Sequence, residues 1–397
     1  MIELSEVVRP GTYFIDGDRS AALGALAAGC TFCSYYPITP ASELFEYMAE
    51  LLPKIGGVPI QMEDELASIN AALGASIAGK KAMTASSGPG LSLKQHERGW
   101  GIINEIPLVI IDVQRAGPSN GVATLVGQGD FYQARYGTHG GNYEAIAISP
   151  SSVQETFDLT IEAFNLAEIY RTPVILLMDE AIAHTREKLV VPPFEELKKS
   201  IIERKKPSVP PGEFDLFPQK TPEVINYPFP AAGDGYGLLI SPYTRNEKGV
   251  DSSDVKVQDQ MVKRLIYKIR AHVAELTKVE TAFVNDADIA IASWGCAARP
   301  SLAAVRELRE EGLKVGYIRL IGMWPFPDER IHELAKKVNT IFVVEENLDG
   351  QVSREVQRAS MGTAEVVHLG KAGVEMHMPS EIVAEVKKHL ASKKVLR

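Results

Sequence analysis

Residues 105–113 read EIPLVIIDV, and within them 108–113 is a strand-length apolar run broken only by Asp112. A run without polar alternation must be buried on both faces, which is the condition of a strand inside a parallel sheet covered by helices. Working outward, 91–103 reads as a helix, 82–85 as a strand and 63–78 as a helix. Further upstream, 58–62 and 31–36 read as strands. The helix 40–52 between them places Leu44, Tyr47, Met48 and Leu51 on one face, and Pro40 suits its first turn, where a missing donor costs nothing. A helix at 21–28 precedes these, and downstream the alternation closes with strand 145–148, helix 152–170 and strand 174–178. The pattern predicts an α/β fold, a doubly wound parallel sheet of about six strands, over residues 1–190.

Texture changes at residue 191. Up to about residue 256 there are ten prolines and charged stretches such as 198–206, with no sustained period. This predicts an exposed Pro-rich arm. The helix 258–276, with Met261, Leu265, Ile269 and Val273 at period four, connects it onward, so the arm and connecting helix are assigned to 191–270. Residues 271–397 then hold strands at 288–293, 315–320, 340–344 and 366–369. Helices at 300–310, 328–336 and 351–358 lie between them, a second and smaller α/β unit.

The chain of 397 residues is 45% hydrophobic and 23% charged, as in a soluble globular protein. Its net charge of −9 argues against nonspecific nucleic-acid binding, which depends on Lys and Arg neutralising phosphates. No apolar run reaches the roughly 18 residues of a membrane span, and the first residues carry neither a basic nor an apolar leader segment. A cytoplasmic location is the expectation. The three cysteines, at 30, 33 and 296, are too few for a four-cysteine iron–sulfur set. Cys30-x-x-Cys33 has the spacing of a thiol redox motif but runs straight into a strand, so buried thiols are the better reading.

Open α/β sheets bind ligands beyond the carboxyl ends of their strands. Three pieces fall there: Tyr36-Pro37-Ile38-Thr39-Pro40, the acidic helix start Glu63-Asp64-Glu65, and Arg115 ahead of a Gly-Pro-Ser-Asn-Gly turn. Together they offer a hydroxyl, a carboxylate and a guanidinium to one pocket. Each also has an ordinary use. Thr39 can cap a helix, the acidic triplet can complement a helix N-terminus, and Arg115 can sit on a solvated turn. Ser86-Ser87-Gly88-Pro89-Gly90 precedes a helix and is either a turn or an anion site. Gln128, Asp130, His139 and Asn142 are polar loop residues near the same entrance. GASIAGKK at 74–81 approaches a phosphate-binding loop but lacks the Ser/Thr for Mg²⁺ and lies within a helix. Gly233-Asp234-Gly235 imitates the start of a thiamine-diphosphate metal motif, yet no Asn-Asn pair follows it.

These residues carry a resemblance. The stretches 36–40, 63–79 (EDELASINAALGASIAG), 84–93 (TASSGPGLSL), 105–113, 114–121 (QRAGPSNG) and 128–141 (QGDFYQARYGTHGG) resemble domain I of the 2-oxoacid:ferredoxin oxidoreductases, in the form of a separate alpha subunit of the 2-oxoglutarate type. The arm resembles that family's linking segment, and the residues after about 285 resemble the C-terminal domain of transketolase-like enzymes. The resemblance implies oxidative decarboxylation of a 2-oxo acid with coenzyme A, giving acyl-CoA, CO₂ and reduced ferredoxin. It implies that Glu65 is catalytic, holding N1′ of thiamine diphosphate, with Pro37 beside the cofactor. Thr39 and Arg115 then bind the substrate carboxylate. It further implies a beta subunit supplying the diphosphate and Mg²⁺ half of the site, gamma and delta functions, and [4Fe-4S] clusters on partners. No metal ligand is assigned to this chain. Pyruvate and branched-chain 2-oxo acids stay open beside 2-oxoglutarate, with Arg135 or His139 as candidates for a distal carboxylate. A noncatalytic scaffold subunit is the rival reading. Aromatic Trp294 and Trp324 are expected to pack, and Glu345-Glu346-Asn347 to face a partner.

Overall fold

The computed structural model describes residues 2–395. Its larger sheet has seven strands, in the order Gly322–Trp324, Ile146–Ile148, Pro173–Asp179, Leu108–Gln114, Lys81–Ser86, Cys30–Tyr35 and Val58–Gln61. All are parallel to their neighbours except Gly322–Trp324, which runs antiparallel to Ile146–Ile148. Leu108–Gln114 is central and buried at every residue, as its unbroken apolar run requires. The expected sheet of about six strands gains its seventh from residues of the second unit, a loan that a reading of local periodicity cannot register.

The second sheet runs Glu365–Gly370, Thr340–Glu345, Ile289–Ser293, Val315–Leu320 and Val279–Ala282, the last antiparallel. A two-stranded ribbon pairs Gly11–Ile15 with Glu187–Val191. Both strands of the ribbon are partly exposed and were not separable from loops by pattern.

The arm differs from expectation. Phe214, Leu216, Phe217 and Phe229 are buried in the core, and Arg171 stacks on Phe229 with its guanidinium carbon 4.7 Å from the ring centre. The helix Val255–Arg270 is pinned by a buried charge cluster, in which Glu105 accepts from Lys268 at 3.0 Å and from Arg264 at 3.2 Å. The prolines therefore shape a strap laid over the sheet helices. Its aromatic anchors lie at irregular spacing, so no periodicity disclosed them.

The helix expected to open at Pro40 begins instead at Ser42, with Ala41 as its cap and no side-chain capping bond. Pro40 belongs to the turn before it. Thr39 is thus released from the capping role that was its ordinary alternative.

Candidate active site

Consecutive connections leave the Cys30–Tyr35 and Lys81–Ser86 strands in opposite directions, one toward Val58–Gln61 and the other toward Leu108–Gln114. A crevice forms at such a switch point, and the loops that frame it are 36–41 and 87–88.

Arg115 follows the central strand and is buried. Its Nη1 donates to the Thr39 carbonyl oxygen at 2.6 Å, and its Nη2 reaches Asn120 Oδ1 at 3.3 Å. Its Nε has no partner. Burial lowers the Arg115 pKa, and Asp130 and Asp112 oppose that shift; the guanidinium is cationic in any case. These two carboxyls lie against the Gly88 amide, and burial pushes both upward, Asp130 to about 6.

Asp64 caps the helix Glu65–Ile77 by accepting from Ala67 N at 2.7 Å, which is the structural use foreseen for part of the acidic triplet. Glu65 is free of that duty and is buried at 6% exposure. Its carboxylate lies over Gly90, where an added Cβ would stand 2.6 Å from Oε1. Gly88, at φ +43°, faces Arg115 in the same way, at 3.9 Å from Nε. The first turn of the helix Gly88–Ile103 therefore has Glu65 on one flank and Arg115 on the other. Ser86 and Ser87 hydroxyls beside it are buried without partners. The bare Gly90 leaves room for the Glu65 carboxylate itself, and the donor set suits the pyrimidine end of thiamine diphosphate. Pro37 is exposed on the outside of the 36–41 loop.

Lys94 escaped the sequence reading. It is wholly buried, and its Nζ donates to Thr84 Oγ1 at 3.1 Å, to Ser68 Oγ and to the Glu65 carbonyl at 3.4 Å. Burial lowers its pKa to about 7, with the Glu65 charge acting in the other direction. A lysine in a helix that otherwise reads as amphipathic gives no sign that it points inward.

A cleft of about 800 Å³ opens in front of Arg115, lined by Gly88, Pro118, Gln128 and Asp130 from the first unit and by Glu346 and Leu348 from the second. Glu345, Glu346 and Asn347 are buried; Glu345 is bonded within its own unit, to Val352 and Ser353, and Glu346 and Asn347 meet the first unit. Glu346 N donates to Gln128 Oε1 at 2.9 Å, Gln128 N returns a bond to the Glu346 carbonyl at 3.0 Å, and Asn347 Nδ2 reaches the Gln128 carbonyl at 2.9 Å. Gln128 and Asp130 thus join the site, whereas His139 and Asn142 do not line the cleft. Arg135 lies outside it, held by Glu144 at 3.1 Å. Trp324 packs as expected, stacked on Phe131 with ring centres 4.6 Å apart. Cys30 and Cys33 are buried thiols, Cys30 pushed by burial to about 12.

The model of the pyruvate flavodoxin/ferredoxin oxidoreductase thiamine diphosphate-binding domain matches residues 23–250, and that of the pyruvate:ferredoxin oxidoreductase core domain II matches 287–393. The 2-oxoglutarate synthase subunit KorA of Methanothermobacter marburgensis is 47% identical, covering 94% of this chain and 98% of its own length. The chain belongs to the 2-oxoacid:ferredoxin oxidoreductases, as an alpha subunit. Within this family, the ketoisovalerate oxidoreductase subunit VorB of the same organism is 33% identical over 95% of the chain and 97% of its own length. A solved 2-oxoglutarate:ferredoxin oxidoreductase from Magnetococcus marinus, with 2-oxoglutarate, coenzyme A and succinyl-CoA bound, superposes with a TM-score of 0.89 at 32% identity, covering 95% of this chain. This chain spans 65% of the length of that one. A split-gene transketolase, 15% identical over 94% of this chain and 97% of its own, shares the fold with a TM-score of 0.51. Among the described residues no helix is long and apolar enough to cross a membrane.

Proposed function

We propose that this oxidoreductase subunit serves a 2-oxoglutarate:ferredoxin oxidoreductase, contributing the substrate-carboxylate grip and the pyrimidine half of a thiamine diphosphate site. The observation that carries the reading is the flanking of one helix turn by Glu65 and by the Arg115–Thr39 pair. Arg115, with Nε unpartnered and cationic, offers a donor to the carboxylate of a 2-oxo acid, and the Thr39 hydroxyl stands on the loop it holds. Glu65, shielded from water, is suited to hold a proton at the pyrimidine N1′. Thiamine diphosphate, when bound, supplies the carbanion chemistry that the protein lacks. The diphosphate and Mg²⁺ belong to a beta subunit and the [4Fe-4S] clusters to further partners, which pass electrons to ferredoxin, so the site is completed at a subunit interface. The domain division 1–190, 191–270 and 271–397 goes with this reading, as does a cytoplasmic location.

The preference for 2-oxoglutarate is supported by the 38–47% identity of relatives named 2-oxoglutarate synthase, against 33% for those named for ketoisovalerate. The test is to co-express the chain with its partner subunits and assay coenzyme A-dependent reduction of a viologen dye with 2-oxoglutarate, pyruvate and 2-oxoisovalerate. A preference for 2-oxoglutarate is expected. Preference for either of the others overturns the substrate, and an active complex indifferent to Glu65→Gln overturns the site.

A further inference from the structure

Three side chains that the site does not use converge on the rim that carries the 36–41 loop. Asp18 lies in the first turn of Gly17–Ala27, Glu43 in the first turn of Ser42–Leu51, and His184 at the end of Glu180–His184. One ligand atom from each lies within 4.8 Å of the other two. Asp18 is wholly buried, and neither of its carboxylate oxygens has a hydrogen-bond partner. A buried charge needs a partner.

His184 is oriented for the remaining role. Its Nδ1 lies 3.2 Å from Glu180 Oε1, while Nε2 is turned toward Glu43 Oε2 at 3.6 Å. A histidine that ligates a metal characteristically gives its other ring nitrogen to a carboxylate, which fixes the tautomer and the ring plane. Arg19 and Arg186 are turned to Asp16, at 3.6 and 4.0 Å, and so leave Asp18 to the cluster.

We propose that Asp18, Glu43 and His184 bind one divalent transition cation of the zinc class. One imidazole nitrogen and two carboxylate oxygens, with the rest of the coordination left to water, suit Zn²⁺ or Mn²⁺ better than Mg²⁺, which favours all-oxygen octahedral sites. Two carboxylates balance the charge. This departs from the expectation that the chain holds no metal. The cation ties three helices together, and Glu43 stands four residues after Thr39, so it also anchors the loop that presents Thr39. The Glu180 carboxylate on Nδ1 leaves Nε2 as the ring nitrogen that meets the cation.

The test uses the full chain, stripped with chelator and titrated calorimetrically with ZnCl₂, MnCl₂ and MgCl₂ at pH 7.5, with the melting temperature followed in parallel. One Zn²⁺ per chain is expected, raising the melting temperature. Asp18→Asn and His184→Gln each should weaken it at least tenfold. Glu43→Gln, at a side chain 44% exposed, provides a variant with little risk to folding and should weaken binding as well. No Zn²⁺ uptake by the folded chain, or uptake unaltered in Glu43→Gln and His184→Gln, overturns the proposal. Mg²⁺ binding as tight as Zn²⁺ overturns the assigned class.

Discussion

Arg115 donates to the Thr39 carbonyl oxygen at 2.6 Å across a sequence separation of 76 residues, so the two candidate substrate ligands form one mechanical unit. The guanidinium positions the loop with one nitrogen and keeps another for a ligand.

Arg115→Lys should therefore fail twice, by losing the planar fork and by releasing the loop. In the assembled enzyme the KM for the 2-oxo acid should rise by about thirtyfold or more, as truncating a buried charged contact costs roughly 2–5 kcal/mol. The KM for coenzyme A should stay constant. Steady-state kinetics with each substrate varied in turn checks this, and a rise in the coenzyme A value alone would place Arg115 in the wrong subsite.

Glu65→Gln keeps shape and burial while removing the acid–base function. Turnover should fall by about 10²–10⁴-fold, the usual range for a positioned proton-transfer group, with the thermal midpoint unchanged within about two degrees for so conservative a change. Viologen reduction paired with a melting curve separates the two effects.

Gly90 has no space for a side chain. A methyl group there meets Glu65 Oε1 at 2.6 Å and crowds the Ser86 hydroxyl, so Gly90→Ala should displace the carboxylate from its place. Thiamine diphosphate affinity of the complex, read by fluorescence quenching, should drop at least tenfold, although Ala is the better helix former by about 1 kcal/mol. Unaltered cofactor affinity would show that Glu65 is not held where the cofactor needs it.

The buried Lys94 predicts a pH dependence. Its folded pKa is lowered to about 7, against about 10.4 in an unfolded chain. Between those values the unfolded state binds the extra proton, so stability contributed by this residue rises with pH from 7 to about 10, by up to about 1.4 kcal/mol per unit. Lys94→Met should flatten that slope. Urea unfolding of both proteins at pH 7 and pH 9 gives the comparison, and identical slopes would mean that Lys94 is already paired at neutral pH.

The parallel sheet was legible because burial on two faces writes itself as uninterrupted apolar runs, as at Leu108–Val113. Thr39, Glu65 and Arg115 were legible as strand-end residues for the same reason, since each follows a run whose end is plain. Lys94 and Asp112 were not, because a buried charge is defined by neighbours distant in sequence, such as Ser68 and Asp130. Gln128 was visible only as a polar loop residue, since its partners Glu346 and Asn347 lie more than two hundred positions away. The arm misled for a related cause. Proline marks where a chain cannot be regular, but Phe217 and Phe229 decide where it lies.

The strand Gly322–Trp324, given by the second unit to the sheet of the first, limits how this polypeptide can be divided. A gene split near residue 270 would leave Ile146–Ile148 as an uncovered sheet edge, and such edges invite aggregation. The two halves are heritable only together, and the junction that composition suggests is not a place where the chain can be cut.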